Sequence, residues 1–316
     1  MIWLIGSGLM SVDYAKVIEA QKYNYLVIGR GVNSAEEFEG KTGKKVIQGG
    51  LEQFLKSDPV LPEAAIVSVG VAQLYETTLT LIDSGVKSIL VEKPGGMTQS
   101  EIDILYQRSE ANSCKVYIAY NRRFFSSVIA ARESIKAEGG VTSFNFELTE
   151  WAHIIENIDK PKDVLEKWFL ANSTHVADLA FFLGGKPKEL ASFVQGQLKW
   201  HPAASVFSGA GVSESGALFN YAANWESAGR WSVEMLTKEN RYIFRPMEAL
   251  QVQKRGTIPC INVEIDNSLD IKYKPGLYKQ VEAFLLGNDE LLCSIEEQVL
   301  LFHYYEKMAG YKFDEC

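Results

Sequence analysis

Residues 2–11 are Ile-Trp-Leu-Ile-Gly-Ser-Gly-Leu-Met-Ser, an apolar run that leads directly into a turn with two glycines. The first four residues of this stretch are predicted to form a buried strand, and residues 11–21 have helical spacing. Gly6 allows a tight turn, and Gly8 lacks a side chain, so backbone N–H groups can approach a ligand at the helix start. Ser11 stands at the third glycine position of such turns, which predicts a slightly wider helix–strand separation. The position after a buried strand favours a phosphate-binding turn over an ordinary strand-to-helix connection.

The first 120 residues repeat this alternation of short apolar runs and helical segments. The runs are rich in β-branched residues and lack polar alternation, as parallel strands covered on both faces do. Strands are predicted at 2–5, 25–28, 64–69, 89–91 and 116–119, and helices at 11–21, 34–43, 72–84 and 98–111. Ser34 and Thr98 are predicted N-caps because a glutamate follows each of them three residues later, and Gly85 fits the C′ position of its helix. This alternation indicates a doubly wound α/β domain.

From about residue 140 the apolar pattern changes to period two, which predicts antiparallel strands with one buried face. The alternating segments are 141–151, 231–235 and 250–253, and helices are predicted at 173–183, 278–286 and 295–308. The segment between Trp225 and Trp231 is predicted to connect two strands as a hairpin.

The predicted fold class is therefore α/β plus α+β, with a parallel sheet in residues 1–121 and a mainly antiparallel sheet in residues 122–316. The last helix is a candidate to pack back on the first domain.

The composition is that of an ordinary globular protein, with 47% hydrophobic and 23% charged residues in 316. A net charge of −8 and the absence of a dense basic run argue against a nucleic-acid partner. No apolar stretch is long enough to span a bilayer, and a strand that begins at residue 2 leaves no room for a cleaved signal peptide. Scattered cysteines and histidines predict free thiols in a reducing cytoplasm and no metal site; the cysteines are Cys114, Cys260, Cys293 and Cys316.

The end of the second predicted strand bears on the choice of dinucleotide. An acidic residue there would accept hydrogen bonds from the ribose 2′-OH of NAD, but residues 29–34 are Gly-Arg-Gly-Val-Asn-Ser. Arg30 offers an always-charged donor fork suited to a 2′-phosphate, and Ser34 adds a hydroxyl. These residues favour NADP(H) over NAD(H), the alternative being that Arg30 is a solvated loop charge.

Glu92-Lys93-Pro94 follows the predicted strand 89–91, at the sheet edge where ligands of open α/β sheets bind. The Lys93 ammonium could hydrogen-bond a substrate oxygen. The alternative is a surface salt bridge between Glu92 and Lys93.

Together, the motifs of this chain resemble those of the Gfo/Idh/MocA oxidoreductases, the group that includes glucose–fructose oxidoreductase and inositol dehydrogenases. The resemblance rests on the glycine turn, Glu92-Lys93-Pro94, and three further segments: Asn-Arg-Arg-Phe at 121–124, Asn-Ser-Thr-His-Val-Ala-Asp-Leu at 172–179, and Gln-Val-Glu-Ala-Phe at 280–284. It implies a Rossmann domain followed by an open-faced antiparallel sheet. The exposed side of that sheet often forms a subunit interface, so a homodimer or homotetramer is expected.

The resemblance also implies that Lys93 and His175 face the nicotinamide and the substrate. Two family positions differ in this chain. Ala171 replaces the aspartate that usually stands four residues before the histidine, and Asn172 lies beside it. The histidine that the family usually has in the loop after Val69 is also absent, and Leu74 is the residue nearest to that position. By itself, a histidine such as His175 is more often a structural residue at a helix start than a catalyst. Its surroundings favour the catalytic role, because Ser173 and Thr174 are predicted to cap a helix that contains Asp178, in a chain that already has a nicotinamide-type turn.

The predicted activity is NADP(H)-dependent hydride transfer to or from a carbon of a sugar, sugar phosphate or nucleotide sugar. The alternatives are an enzyme that uses transient redox for elimination or hydrolysis, and a non-catalytic NADP(H)-binding sensor or partner subunit. The predicted catalytic residues are Lys93, His175 and Asn172. The predicted cofactor contacts are Gly6, Ser7, Gly8, Leu9, Met10, Gly29, Arg30, Ser34, Val69, Gly70, Glu92, Lys93 and Asn121. Candidate substrate residues are Tyr120, Arg122, Trp151 and Asp178, with Trp168 and Tyr221 as further aromatics, although core packing is equally open for each aromatic.

Overall fold

The computed structural model describes residues 1–311, so Cys316 lies outside the described residues. The chain forms two compact units, each made from two stretches of sequence. The first unit contains Met1–Phe124 and Ser268–Val299, and the second contains Phe125–Asn267 and the chain from Leu300 onward.

The first unit is built on a seven-stranded sheet whose strands are numbered here in chain order. They are β1 (Ile2–Ile5), β2 (Tyr25–Ile28), β3 (Val46–Ile47), β4 (Ala64–Val67), β5 (Ser88–Val91), β6 (Lys115–Ile118) and β15 (Cys293–Ser294). The spatial order is β15-β6-β5-β4-β1-β2-β3. All neighbouring pairs are parallel except β15 with β6. The predicted parallel sheet is confirmed, and β3 and β15 were missed because a strand of two residues gives no recognisable period.

Helices surround this sheet and bury its strands. They are α1 (Leu9–Ala20), α2 (Val32–Thr42), α3 (Gly50–Leu55), α4 (Leu74–Asp83), α5 (Gln99–Ala111), α10 (Ser268–Lys272) and α11 (Leu277–Leu286); α12 (Ile295–Ala309) begins in this unit. Every residue of β1 and β4 is buried. The core joins Leu4 and Ile66 of the sheet to Ile18 of α1 and Phe284 of α11. Each such side chain contributes about 2 kcal/mol on burial.

Two of the three predicted helix-end signals are confirmed. Thr98 caps α5 by accepting from the Glu101 amide at 3.2 Å, and Gly85 follows α4 with φ +93°. The prediction for Ser34 is wrong, because α2 begins two residues earlier with Gly31 as its N-cap. The Ser34 hydroxyl instead donates to the Gly31 carbonyl at 3.1 Å.

The second unit contains an eight-stranded sheet with one parallel pair. Its strands are β7 (Ser143–Glu147), β8 (Pro187–Gln195), β9 (Val206–Ser213), β10 (Leu218–Asn224), β11 (Ser232–Leu236), β12 (Asn240–Phe244), β13 (Gln251–Lys254) and β14 (Ile261–Asn262). The order is β14-β13-β12-β11-β7-β10-β9-β8, and only β7 and β10 run parallel. The predicted hairpin between Trp225 and Trp231 is wrong: β10 and β11 both pair with β7, which lies between them, so this segment crosses over a strand.

One face of this sheet is packed and the other is open. Helix α9 (Thr174–Gly184) covers the packed face, where Phe181 contacts the rings of Phe144, Phe146 and Phe219. Along β7 Phe144 and Phe146 are buried and the residues between and beside them are half-buried, as the period-two pattern predicts. Buried and exposed residues also alternate without a break along β10, a strand that the sequence analysis did not identify. The remaining helices are α6 (Ser126–Ala137), α7 (Ala152–Ile155) and α8 (Lys162–Glu166).

Three further observations concern the chain as described. No disulfide joins Cys114, Cys260 and Cys293, the cysteines within residues 1–311. Over the same range, no helix is both long and apolar enough to cross a bilayer. Nor do three or more potential His, Cys, Asp or Glu ligands cluster as a metal would need within that range.

Candidate active site

The turn between β1 and α1 combines a tight backbone with open space. Gly6 has φ +115°, and a Cβ there would lie 2.6 Å from the Ser68 carbonyl oxygen. Gly8 is the N-cap of α1, makes no side-chain cap bond, and would have nothing within 4 Å of an added Cβ. Leu9, the first residue of the helix, is 73% exposed. Helix N–H donors therefore face unfilled space, as an anion site requires.

Ser11 compensates for the absent third glycine with hydrogen bonds. Its side chain is fully buried, and its hydroxyl lies 2.8 Å from that of Ser68. Ser68 in turn donates to the Ile5 carbonyl at 3.3 Å. The serine thus ties α1 to the end of β4 and, through Ser68, to β1.

A cleft of about 190 Å³ lies at the carboxyl ends of β1, β2 and β4. Four of the residues predicted to contact a cofactor meet there, namely Gly6, Gly29, Arg30 and Val69. The sequence analysis did not identify Gln73, Glu52, Glu76 and the Gly49–Gly50 pair, which also line the cleft. For Gly49 and Gly50, the available sequence signal was a pair of consecutive glycines at the start of a helix.

Arg30 lies in this cleft beside Gln73 and Gly50. With the Gln73 side-chain amide in the orientation that satisfies both its oxygen and its nitrogen, the oxygen accepts from Arg30 Nη1 at 3.2 Å and also from Nη2. Gly50, with φ +81°, lies so close that an added Cβ would touch the Arg30 methylenes at 3.6 Å. Nearby, the Ser7 hydroxyl donates to that of Ser34 at 3.0 Å. A guanidinium and two hydroxyls are thus presented near the turn.

Glu92 is bonded to a helix rather than left on the surface. Its Oε1 accepts from the Tyr14 hydroxyl of α1 at 2.8 Å. Loss of hydration raises the pKa of Glu92, while the Tyr14 hydrogen bond and the charges of Lys93 and Lys274 lower it. Burial, together with the Glu92 charge, raises the pKa of Tyr14 well above its usual range. Lys93 is partly exposed, and its peptide bond to Pro94 is cis.

The segment after β6 is fixed largely by bonds within the first unit. The Asn121 side-chain amide donates to the Pro275 carbonyl at 2.9 Å. The Arg122 guanidinium donates to the Asn121 side-chain oxygen at 3.5 Å. Tyr120 is only 1% exposed, and its hydroxyl accepts from Gln298 at 3.3 Å.

His175 lies in the second unit, two residues after a π-helical turn formed by Phe169–Ser173. Ser173 stands at the N-cap position of α9, but neither Ser173 nor Thr174 forms the predicted side-chain cap bond. Thr174 donates back to the Leu170 carbonyl at 2.9 Å. His175 is 8% exposed, and its ring centroid lies 6.3 Å from that of Trp231.

A buried carboxylate that the sequence analysis missed lies beside this turn. Glu150, 2% exposed, accepts from Asn172 and Ser173 at 2.9 Å each and from Arg230 at 3.2 Å. The Arg230 guanidinium lies over the rings of Trp231, at 4.4 Å, and Trp151, at 4.7 Å. A glutamate placed directly before a tryptophan at the end of a strand was the only local signal.

The other candidates in the second unit differ in accessibility. Trp151 is 46% exposed, whereas Asp178 is fully buried. Tyr221 is also buried, and its hydroxyl lies 2.7 Å from that of Ser192. Trp168 is partly buried and packs edge-on against Trp200.

Several proteins of known structure share the fold of this chain. UDP-N-acetylglucosamine 3-dehydrogenase from Acidithiobacillus ferrooxidans is 14% identical, with a TM-score of 0.76 over 98% of this chain and 97% of that one. Levoglucosan dehydrogenase in complex with NADH is 16% identical, with a TM-score of 0.78 over 98% and 96%. An inositol dehydrogenase homologue from Azotobacter vinelandii, complexed with NADH and myo-inositol, is 15% identical, with a TM-score of 0.76 over 98% and 94%.

The chain has the fold of these dehydrogenases. The dehydrogenase fold is the one that the Gfo/Idh/MocA resemblance implies, and that expectation is confirmed. No protein-family model matches the sequence. Among curated proteins, trans-1,2-dihydrobenzene-1,2-diol dehydrogenase of Mus musculus is 24% identical over 164 residues, which are 51% of this chain and 48% of that protein. The matched region thus spans about half of that relative.

Proposed function

We propose that this protein is a nicotinamide-dependent dehydrogenase or reductase that transfers hydride to or from a C–OH carbon of a sugar-like substrate. The observation that carries the proposal is the turn at Gly6–Gly8, where helix donors face open space beside a cleft at the carboxyl edge of the sheet. The names of the structures with the same fold support a sugar, a polyol or a nucleotide sugar as the substrate class.

The residues present fit a dinucleotide. Gly8 leaves room for a diphosphate where a larger side chain would fill it, and the α1 terminus supplies oriented donors. When bound, the nicotinamide supplies the hydride chemistry. The residues proposed to hold the cofactor are the predicted set, Gly6, Ser7, Gly8, Leu9, Met10, Gly29, Arg30, Ser34, Val69, Gly70, Glu92, Lys93 and Asn121.

Within that set, Arg30 favours NADP(H). Its guanidinium lies in the cleft, the Ser34 hydroxyl is adjacent to the turn through Ser7, and residues 29–34 include no carboxylate to repel a 2′-phosphate. Glu52 and Glu76 line the same cleft and oppose an anion, so the preference rests on Arg30.

Proton handling is assigned to Lys93 and His175. A Lys93 ammonium would donate a hydrogen bond to the substrate oxygen and stabilise negative charge that develops on it. A neutral His175 imidazole would accept the alcohol proton as the carbon is oxidised, and return it in the reverse direction. Asn172 supports this arrangement indirectly, because its amide is bonded to Glu150.

Two substitutions test this assignment. We expect Lys93→Met and His175→Ala each to lower kcat at least a hundredfold. The Kd for NADPH should rise by less than about tenfold in Lys93→Met, which loses one proposed cofactor contact, and should stay within about twofold in His175→Ala, since neither variant removes the phosphate-binding turn. Turnover would be followed by absorbance of the reduced cofactor over a panel of sugars, polyols and nucleotide sugars, and binding by calorimetry. Wild-type turnover in both variants would remove these residues from the mechanism.

A non-catalytic NADP(H)-binding sensor is the second candidate, favoured by the absence of a carboxylate at Ala171. Calorimetry separates the two proposals when it is combined with the substrate panel. Binding of NADPH without turnover of any panel member would favour the sensor, and no binding of either NADPH or NADH would reject both.

The open face of the second sheet is proposed to join copies of this chain into a homodimer or homotetramer. It exposes large apolar side chains, with Phe193 of β8 at 71% and Leu218 of β10 at 62%.

A further inference from the structure

Glu150 is a buried carboxylate, and a buried charge destabilises a fold unless hydrogen-bond donors surround it. Its carboxylate is 2% exposed and accepts two hydrogen bonds of 2.9 Å through Oε1 and one of 3.2 Å through Oε2. Burial raises the pKa of Glu150, and the Ser173, Arg230 and Asn172 contacts lower it. An unpaired carboxylate this deeply buried would strongly destabilise the fold. The donors around Glu150 are therefore required for its burial.

The sheet fixes where this carboxylate stands. Beyond β7 the ladder continues, since the Leu148 amide donates to the Ala222 carbonyl at 3.1 Å. The Thr149 hydroxyl then accepts from the Asn224 amide at 3.2 Å, and the Trp225 indole donates to the Leu148 carbonyl at 3.2 Å. Glu150 therefore follows two residues that are both hydrogen-bonded to β10 or to the residue directly after it.

The residues that Glu150 binds belong to the least regular part of the neighbouring helix. Asn172 and Ser173 end the π-helical turn that leads into α9. Such turns are rare and are frequent at functional sites, and this one lacks a side-chain cap at the start of α9. Two adjacent donors on one carboxylate oxygen define the position of the turn, and His175 follows two residues later.

Arg230 is the cationic partner of this carboxylate, with Nη1 3.2 Å from Oε2. Its guanidinium lies 4.4 Å from the centre of the Trp231 ring and 4.7 Å from that of Trp151, and the Trp151 indole donates to the Gly229 carbonyl at 3.0 Å. An arginine stacked on aromatic faces loses little freedom on pairing. The centre of the same Trp231 ring lies 6.3 Å from the centre of the His175 ring. Arg230 and His175 therefore lie against the same side chain.

We propose that Glu150, which lies beyond the end of β7, is a positioning residue for His175 and supplies the carboxylate that Ala171 does not provide. Glu150 does not touch the reacting atoms; it holds the turn at Asn172 and Ser173, and Arg230 holds Glu150. The catalytic part of this inference rests on the proposed function, whereas the structural part does not.

Amide hydrogen exchange tests the structural part without any turnover. We expect Glu150→Ala to raise exchange at least tenfold in residues 169–176 and to leave the first unit unchanged. The matched control is Glu138→Ala, because Glu138 also accepts three side-chain bonds in the same unit, from Thr237, Asn240 and Tyr242, each at 2.5 Å. That control should raise exchange around residues 237–242 instead. Wild-type exchange over 169–176 in Glu150→Ala overturns the proposal even if the protein has no activity.

Turnover tests whether Glu150 acts through His175. At a temperature where all variants are folded, Glu150→Ala should lower kcat tenfold or more with KM and the NADPH Kd within about threefold. Glu150→Gln, which can still accept from Asn172 and Ser173, should restore part of the loss. The double variant Glu150→Ala/His175→Ala should be no slower than His175→Ala alone, because residues acting as a unit are not additive. Independent, multiplying losses would contradict the proposal. An inactive wild type that still shows the local exchange change would reject only the proposed function.

Discussion

At the scale of single residues, the proposed cofactor preference and the proposed positioning of His175 depend on a few polar side chains. The neighbours of each side chain determine its position and its pKa. Arg30 lies beside Gln73 and Gly50 in the cleft, and Glu150 is paired with Arg230. His201 shows the same dependence outside the candidate site. It is fully buried, with Nδ1 2.7 Å from the Ala204 carbonyl and Nε2 2.8 Å from the Tyr311 hydroxyl.

Arg30→Ala should change the cofactor preference. Charge-assisted hydrogen bonds of this kind contribute about 1.5–3 kcal/mol, so kcat/KM with NADPH should fall roughly 10- to 100-fold, while the value with NADH changes little. Arg108→Ala is the control, since Arg108 pairs with Asp83 on the surface of the same unit. An unchanged NADPH-to-NADH ratio would mean that Arg30 is only a solvated loop charge.

His201 should make the protein less stable in mild acid. Burial lowers the pKa of His201 from 6.5 to about 4, so the unfolded chain binds an extra proton between these values and stability falls as pH falls. From pH 7 to pH 5 this residue should remove about 2 kcal/mol of unfolding free energy. Urea unfolding of His201→Gln, compared with the exposed-site variant His153→Gln, isolates the effect. Equal pH dependence in the two variants would show that His201 is not responsible.

At the scale of elements, the β1–α1 turn and the π-helical turn before α9 do most to define the candidate site. In the first, the glycine pattern and the strand lie next to each other in sequence, so local geometry sets the site. In the second, Asn172 and Ser173 are adjacent, but their acceptor, Glu150, is more than twenty residues away along the chain.

The two glycines of the first turn should respond differently to a methyl group. Gly6→Ala should lower the unfolding free energy by about 1–3 kcal/mol, because φ is +115° and the Ser68 carbonyl is 2.6 Å from the added Cβ. Gly8→Ala should leave Tm unchanged, since its backbone is extended and the space is open, yet weaken NADPH binding at least tenfold. Thermal unfolding and calorimetry on both variants measure this contrast. Unweakened binding in Gly8→Ala would place the diphosphate elsewhere.

At the scale of the whole molecule, the two faces of the second sheet differ. Helix α9 covers one face, whereas on the other face the side chains of β10 are exposed, with no element of residues 1–311 covering them. Exposed apolar groups on such a face are typical of protein interfaces. We expect Phe193→Asp to shift the protein to a smaller species by light scattering. Val60→Asp, at a 93% exposed position of the first unit, is the control. An oligomer that persists in Phe193→Asp would argue against this face as the interface.

The sequence by itself determined the first sheet and its glycine turn, because short buried strands, helix periods and turn residues are local signals. The alternation of β7 and the cap at Thr98 were predicted for the same reason. The cap bonds predicted at Ser34 and Ser173 are not formed, because α2 begins before Ser34 and the Ser173 hydroxyl bonds to Glu150, a partner distant in sequence.

Only the tertiary structure decided the strand order of the second sheet. Period-two alternation defines which face of a strand is buried but not which strand lies beside it, so nothing local indicated that β7 separates β10 from β11. Long-range pairing also brought Glu150 to the turn before His175 and Gln73 to Arg30. Such contacts are selected by the packing of whole elements, whose free energy is shared among many residues and is not visible at any one position.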